Sequence, residues 1–120
     1  MEVDEPPRRA AQREAHEEIG LDIEPGELLV VDWKPRDGDF TEVVALLFDG
    51  GTLTARDIDR IVVEPSEVRG YRFVELDEAA TLLDAELFAR VAVGLTTRAT
   101  GRIAYLENGV PALRTQAEPL

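Results

Sequence analysis

Two prolines and a glycine bracket the segment that most constrains this chain. Pro6-Pro7 stands where a helix begins and needs no amide donors, and Gly20 stands where the chain turns left-handed after a last helical residue; no breaker lies between them. The bracket predicts a helix from Pro7 to Ile19, with Asp4 or Glu5 as its N-cap. At about 100° per residue, Glu17, Glu14 and Glu18 share an arc of roughly 100°, and Ala11, Ala15 and Ile19 form an apolar stripe beside it. Such a helix packs along one side and presents acids along the next. Carboxylates three and four residues apart repel one another unless positive charge sits among them. Arg13, four residues before Glu17, supplies that charge if the arc is simply a solvated acidic face. A divalent cation with a preference for oxygen donors, Mg²⁺ or Mn²⁺, supplies it if the arc is a metal site.

The chain around this helix has 120 residues, enough for a single domain over 1–120 with one core. Its 25 acids against 13 Lys and Arg give a net charge of −12, which excludes a general nucleic-acid binder because no counterion-releasing basic stripe is available. The acidity is concentrated toward the front: residues 1–84 hold 22 acids and 9 bases, the remainder 3 and 4. With no cysteine, disulfides, thiolate nucleophiles and Cys-bound zinc are excluded, and one histidine excludes a His-rich metal site. The longest wholly apolar run, Val43 to Phe48, is far too short to span a bilayer, and the opening Met1-Glu2-Val3-Asp4-Glu5 is acidic where a signal peptide is basic. A soluble cytoplasmic protein without a membrane partner is expected.

Beyond Gly20, strands are predicted near Glu27–Trp33 and Glu42–Phe48, joined by a turn through Pro35-Arg36-Asp37-Gly38. Ile61–Val63 and Tyr71–Val74 read as short strands flanking the loop Glu64-Pro65-Ser66-Glu67. Helices follow over Asp77–Leu83 and Ala85–Thr97, with Leu87, Phe88, Val91, Ala92 and Leu95 of the second expected in the core. Arg102–Leu106, Asn108-Gly109 and Val110–Leu113 make a hairpin, since Asn-Gly tolerates the positive φ angles of a type I′ turn. The fold class is α/β in the α+β sense.

The run Arg13-Glu14-Ala15-His16-Glu17-Glu18-Ile19-Gly20-Leu21 resembles the R-E-U-x-E-E-x-G-U core of the Nudix box, where U is a bulky apolar residue; Ala15 is small for its place. Glu5 stands eight residues before Arg13, where the box also has Glu. The resemblance implies a Nudix-type α/β/α sandwich around a mixed sheet. It also implies hydrolysis of a nucleoside diphosphate linked to another group, by water attack on phosphorus with Mg²⁺ or Mn²⁺. Carried over by position, Glu17 and Glu18 are metal ligands, Glu14 is a further ligand or the base that activates water, Arg13 orients Glu14, and Glu5 is auxiliary. A late-loop acid common in the family falls on Glu67, six residues before Phe73, with Glu64 as second choice. His16, at about 200° on the wheel, points away from the acids. Trp33 is placed in packing rather than base stacking, and Arg8, Arg9, Lys34 and Arg36 are all candidates for phosphate contacts. The implied partner is a nucleotide-type small molecule of unspecified leaving group. A non-catalytic Nudix-like module that binds a nucleotide or a protein is the alternative.

The family's box begins with Gly six residues before Glu5, upstream of Met1, and its first strands precede that Gly. The expectation is therefore an N-terminally truncated sandwich with open sheet edges and uncovered apolar surface. The chain is then a shortened form or one with a late start, or the gap is filled by another segment, for which the Arg102–Leu113 hairpin is the nominee, or by a partner such as a second copy in a homodimer.

Overall fold

The first helix keeps to its brackets. In the computed structural model, which describes residues 1–112, α1 spans Pro7–Ile19, with Pro7 in its first turn and Gly20 at φ 74° donating its amide to the His16 carbonyl. A Cβ at position 20 would lie 3.3 Å from the Val62 carbonyl oxygen, so both the dihedral and the close approach favour glycine there. The N-cap departs from expectation: it is Pro6, without a side-chain cap. Glu5 does not cap because its carboxylate is held by Arg13.

The remaining elements are β1 (Leu28–Lys34), β2 (Val43–Phe48), α2 (Ala55–Asp59), α3 (Leu76–Leu82), α4 (Ala85–Thr100), β3 (Ala104–Glu107) and β4 (Val110–Pro111). They divide between two compact units, one of Met1–Glu27 with Phe48–Phe73, the other of Leu28–Leu47 with Val74 onward.

The first unit holds α1 and α2. Arg8 of α1 donates to the Pro25 and Gly26 carbonyls and lies 5.0 Å from the Phe48 ring centroid, so it is spent on structure. The expected strand Ile61–Val63 does not form. Its extended backbone is used otherwise: the amides of Val62 and Glu64 donate to the carbonyls of Ile19 and Glu18, acceptors that the last turn of a helix leaves without partners. Tyr71–Val74 joins no ladder either; Tyr71 and Phe73 meet edge to face at 5.8 Å and stay more than half exposed. Helix α2, absent from the sequence reading, starts at a capping box in which Thr54 and Asp57 satisfy each other's amides.

The second unit is built on a mixed sheet of order β2-β1-β3-β4. β3 runs parallel to β1, with Val30 beside Ala104 and Asp32 beside Leu106, and β4 pairs antiparallel to β3. The predicted hairpin therefore lies in the sheet, turning through Asn108 and Gly109 at positive φ; Leu113 falls outside the described residues. Val30, Leu29, Ala104 and Leu106 form the core, joined by Leu47 and Val93. Helix α4 contributes Gly94 and Thr97 as its buried residues, not the expected stripe: Leu87, Phe88, Val91 and Ala92 are half-buried and Leu95 is 47% exposed. The reason is steric and polar. Gly94 has no side chain to hold the helix off Leu47, and Arg90, one turn away on the same face, is drawn to Asp32.

Asp32 is fully buried in β1, bonded to Arg90 at 3.0 and 3.1 Å and accepting from the Gly109 amide at 3.0 Å. One carboxylate thus ties β1 to α4 and to the β3–β4 turn. Apolar surface is left uncovered at the sheet edge, where Val43 and Val44 of β2 are 48% and 57% exposed. Breaking a buried pair from one side leaves an uncompensated charge, so Asp32→Ala is expected to cost about 3–5 kcal/mol in urea unfolding. Pairing it with Arg90→Met should recover at least half of that loss.

Candidate active site

Arg13 organises the acid-bearing face of α1. Its Nε and Nη2 donate to the two oxygens of Glu5 at 2.8 and 3.0 Å, a bidentate pair across two turns' length of chain. Its Nη1 donates to both oxygens of Glu17 at 3.2 and 3.1 Å. Glu14, which the motif leads one to expect under Arg13's control, lies 3.8 Å from Nη2 and makes no hydrogen bond with it. Arg13 thus stands within ion-pair distance of Glu14 and hydrogen-bonds Glu5 and Glu17. The pairing pushes the Glu5 carboxyl down from 4.5 to about 2, chiefly through the Arg13 hydrogen bonds, with a second contribution from the Glu2 amide. It raises Arg13 further above its already high range, Glu5 first and Glu17 second.

The acids of the late loop come to the same helix. The bonds from Val62 and Glu64 to the end of α1 place the loop so that Glu17, Glu64, Ser66 and Glu67 line a cavity of about 540 Å³. His16 lines it as well; it is exposed, as its angle on the wheel predicts, but it borders Glu17 and the loop acids instead of turning away from them. Glu14 and Glu18 are exposed on α1 and do not line this cavity. The two loop acids differ in what holds them. Glu64 accepts from the Ser66 hydroxyl at 2.8 Å and its amide at 3.1 Å, which lower its pKa, whereas Glu67 makes no side-chain bond among the described residues. Nothing in the sequence singles out Ser66, which reads there only as a residue of the loop Glu64-Pro65-Ser66-Glu67.

Of the basic candidates, Arg9 lines a smaller cavity of about 350 Å³ with Gln12, Arg13, His16, Glu17 and Asp22. Lys34 and Arg36 lie in the other unit, beside a separate cavity, and Trp33 is half-buried.

A family model described as the NUDIX domain matches residues 1–93, which include all of α1 and the late loop. The chain belongs to the Nudix family. Its mixed four-stranded sheet with four helices is the α+β architecture of the Nudix-type fold. The match ends within α4, so β3 and β4 lie beyond it. No curated protein and no solved structure matches the chain significantly.

Nudix enzymes work with divalent cations, and the donor chemistry on α1 suits one: Glu14, Glu17 and Glu18 offer hard carboxylate oxygens, and the loop adds Glu67. Among the described residues no three His, Cys, Asp or Glu side chains are grouped so as to hold a metal ion. Mg²⁺ does not require such a group, since it is held by one or two carboxylates and completed by water and substrate phosphates.

The depressed pKa of Glu5 has a measurable consequence. A group whose folded pKa lies below its unfolded value adds stability that is complete above the unfolded pKa and fades as pH falls toward the folded one. The gap in melting temperature between the native chain and Glu5→Gln should therefore be widest above about pH 5 and close between about 4.5 and 2.

Proposed function

We propose that this Nudix chain is an Mg²⁺- or Mn²⁺-dependent pyrophosphohydrolase that cleaves a nucleoside diphosphate linked to another moiety. The observation that carries the proposal is the juxtaposition of Glu17, from an intact set of box acids, with Glu64 and Glu67 in one open cavity. A divalent cation, when bound, would supply charge neutralisation for the diphosphate and activation of water. Glu17 and Glu18 are its ligands in this proposal, and Glu14 is either a third ligand or the base.

The protein's own groups account for the rest. Arg13 fixes Glu17 by two hydrogen bonds and is itself fixed by Glu5, so this carboxylate is positioned before substrate arrives. The proton of the attacking water passes to a carboxylate, Glu14 or Glu67. Glu67 is better suited than Glu64, whose oxygens already accept from Ser66. The second reading, a Nudix-like module that binds a nucleotide or a protein without turnover, is favoured by the lack, among the described residues, of three acidic or histidine side chains grouped to hold a metal ion.

A screen of nucleoside diphosphate derivatives for Mg²⁺- and Mn²⁺-dependent hydrolysis decides between them. Turnover is expected, abolished by EDTA and lowered about 100-fold or more by Glu17→Gln, with Glu67→Gln lowering kcat by a similar factor. Nucleotide binding with no turnover under any metal would leave the non-catalytic module.

A further inference from the structure

We infer that Asn108 is a self-modification site held in check by Asp32: when the bond from the Gly109 amide to that buried carboxylate opens, the Asn108 side-chain amide converts to an acid by reaction with its own backbone. Asparagine followed by glycine is the pair in which this reaction meets least steric resistance, because no Cβ shields the attacking nitrogen. Asn108 is exposed, lines an open cavity, and makes no side-chain hydrogen bond among the described residues. Water and base have access to it.

The chemistry needs no reactant beyond water. The Gly109 nitrogen, once its proton has passed to solvent base, attacks the Asn108 Cγ; a new N–C bond forms, the Cγ–Nδ2 bond breaks, and ammonia leaves. A five-membered cyclic imide remains. Water adding at Cγ breaks the new bond and leaves aspartate in the ordinary chain, whereas water adding at the main-chain carbonyl breaks the peptide bond to Gly109 and reroutes the chain through Cγ as isoaspartate.

The fold blocks the first step in two ways. The Gly109 proton lies in a 3.0 Å bond to fully buried Asp32, so its loss would set negative charge against negative charge. Arg90 holds that carboxylate in place from α4. The turn itself is clamped as well: the Asn108 amide donates to the Trp33 carbonyl at 2.6 Å, and Glu107 pairs with Val110 across it. With Asn108 at φ 53° and Gly109 at φ 80°, the peptide between them is therefore not free to swing its nitrogen onto Cγ.

Conversion is not silent once it occurs. Rerouting through Cγ lengthens the backbone of a tight turn, which draws the Gly109 amide away from Asp32 and leaves a buried oxygen without its donor. The new charge also arrives beside Glu86, which lines the same cavity as Asn108. A transient opening of the turn is thus made permanent, and the β3–β4 hairpin loses a tie to β1.

Peptide mapping by mass spectrometry, with isoaspartate-specific methylation, follows conversion at Asn108 in the full chain at mildly alkaline pH. Conversion should be about tenfold or more slower in native buffer than in urea, where the bond to Asp32 is open. Asp32→Ala combined with Arg90→Met removes the acceptor without leaving a buried charge, and should raise the rate in native buffer about tenfold while the circular dichroism spectrum stays native. Amide exchange in the unaltered chain gives a reading that needs no variant: the Gly109 amide should be protected about tenfold or more over its random-coil rate. No conversion in urea, equal rates in urea and native buffer, a folded double variant that converts at the native rate, or an unprotected Gly109 amide each overturns the inference.

Discussion

Arg13 is the residue on which the acidic helix depends. Without it, Glu14, Glu17 and Glu18 are three like charges within one arc of α1, and each i, i+3 or i, i+4 pair disfavours the helix. With it, Glu17 is held by two hydrogen bonds, and Glu5 is drawn out of any capping role to hold Arg13 in turn. The arrangement explains why α1 begins on a bare Pro6: the carboxylate best placed to cap it serves the arginine instead. Surface ion pairs of this kind add little to stability. Their effect is geometric, fixing where an exposed carboxylate stands.

The second unit solves a similar problem with a buried pair. Asp32 follows four apolar residues in β1, and a buried charge there is tolerated only when every oxygen finds a partner. Arg90 and the Gly109 amide supply those partners from α4 and from the hairpin turn, elements far apart in sequence. Register follows from the same contact. A one-residue slip of β1 would carry Asp32 to the other face of the sheet, away from Arg90.

Local signals carried most of what was legible in the sequence. Pro7 and Gly20 marked α1, Asn108-Gly109 marked the hairpin, and the Val- and Leu-rich runs marked β1 and β2, because each rests on dihedral preferences or periodicity within a few residues. Ile61–Val63 and Tyr71–Val74 misled because strand propensity describes a chain able to pair, and what these segments meet is decided elsewhere. The first spends its amides on the end of α1, and the second has no strand beside it among the described residues. On α4, a count of apolar residues pointed to Leu87 through Leu95. The packed face was chosen instead by a glycine and a charge, Gly94 and Arg90, neither of which scores as core.

The acid set divides along the same line. Glu14, Glu17 and Glu18 were visible because helical spacing and the box place them, while the late-loop acids depended on how the chain returns to α1. That return is made by main-chain bonds from Val62 and Glu64 to carbonyls the helix could not use itself. Fastening the loop through its backbone leaves side chains available, and the difference between Glu64 and Glu67 then rests on one neighbour, Ser66, which binds the first and not the second. An open carboxylate beside Glu17 is thus a product of where the helix ends. Gly20 stops α1 at the point where its last carbonyls face the loop, and a longer helix would satisfy those carbonyls internally and release the segment that carries Glu67.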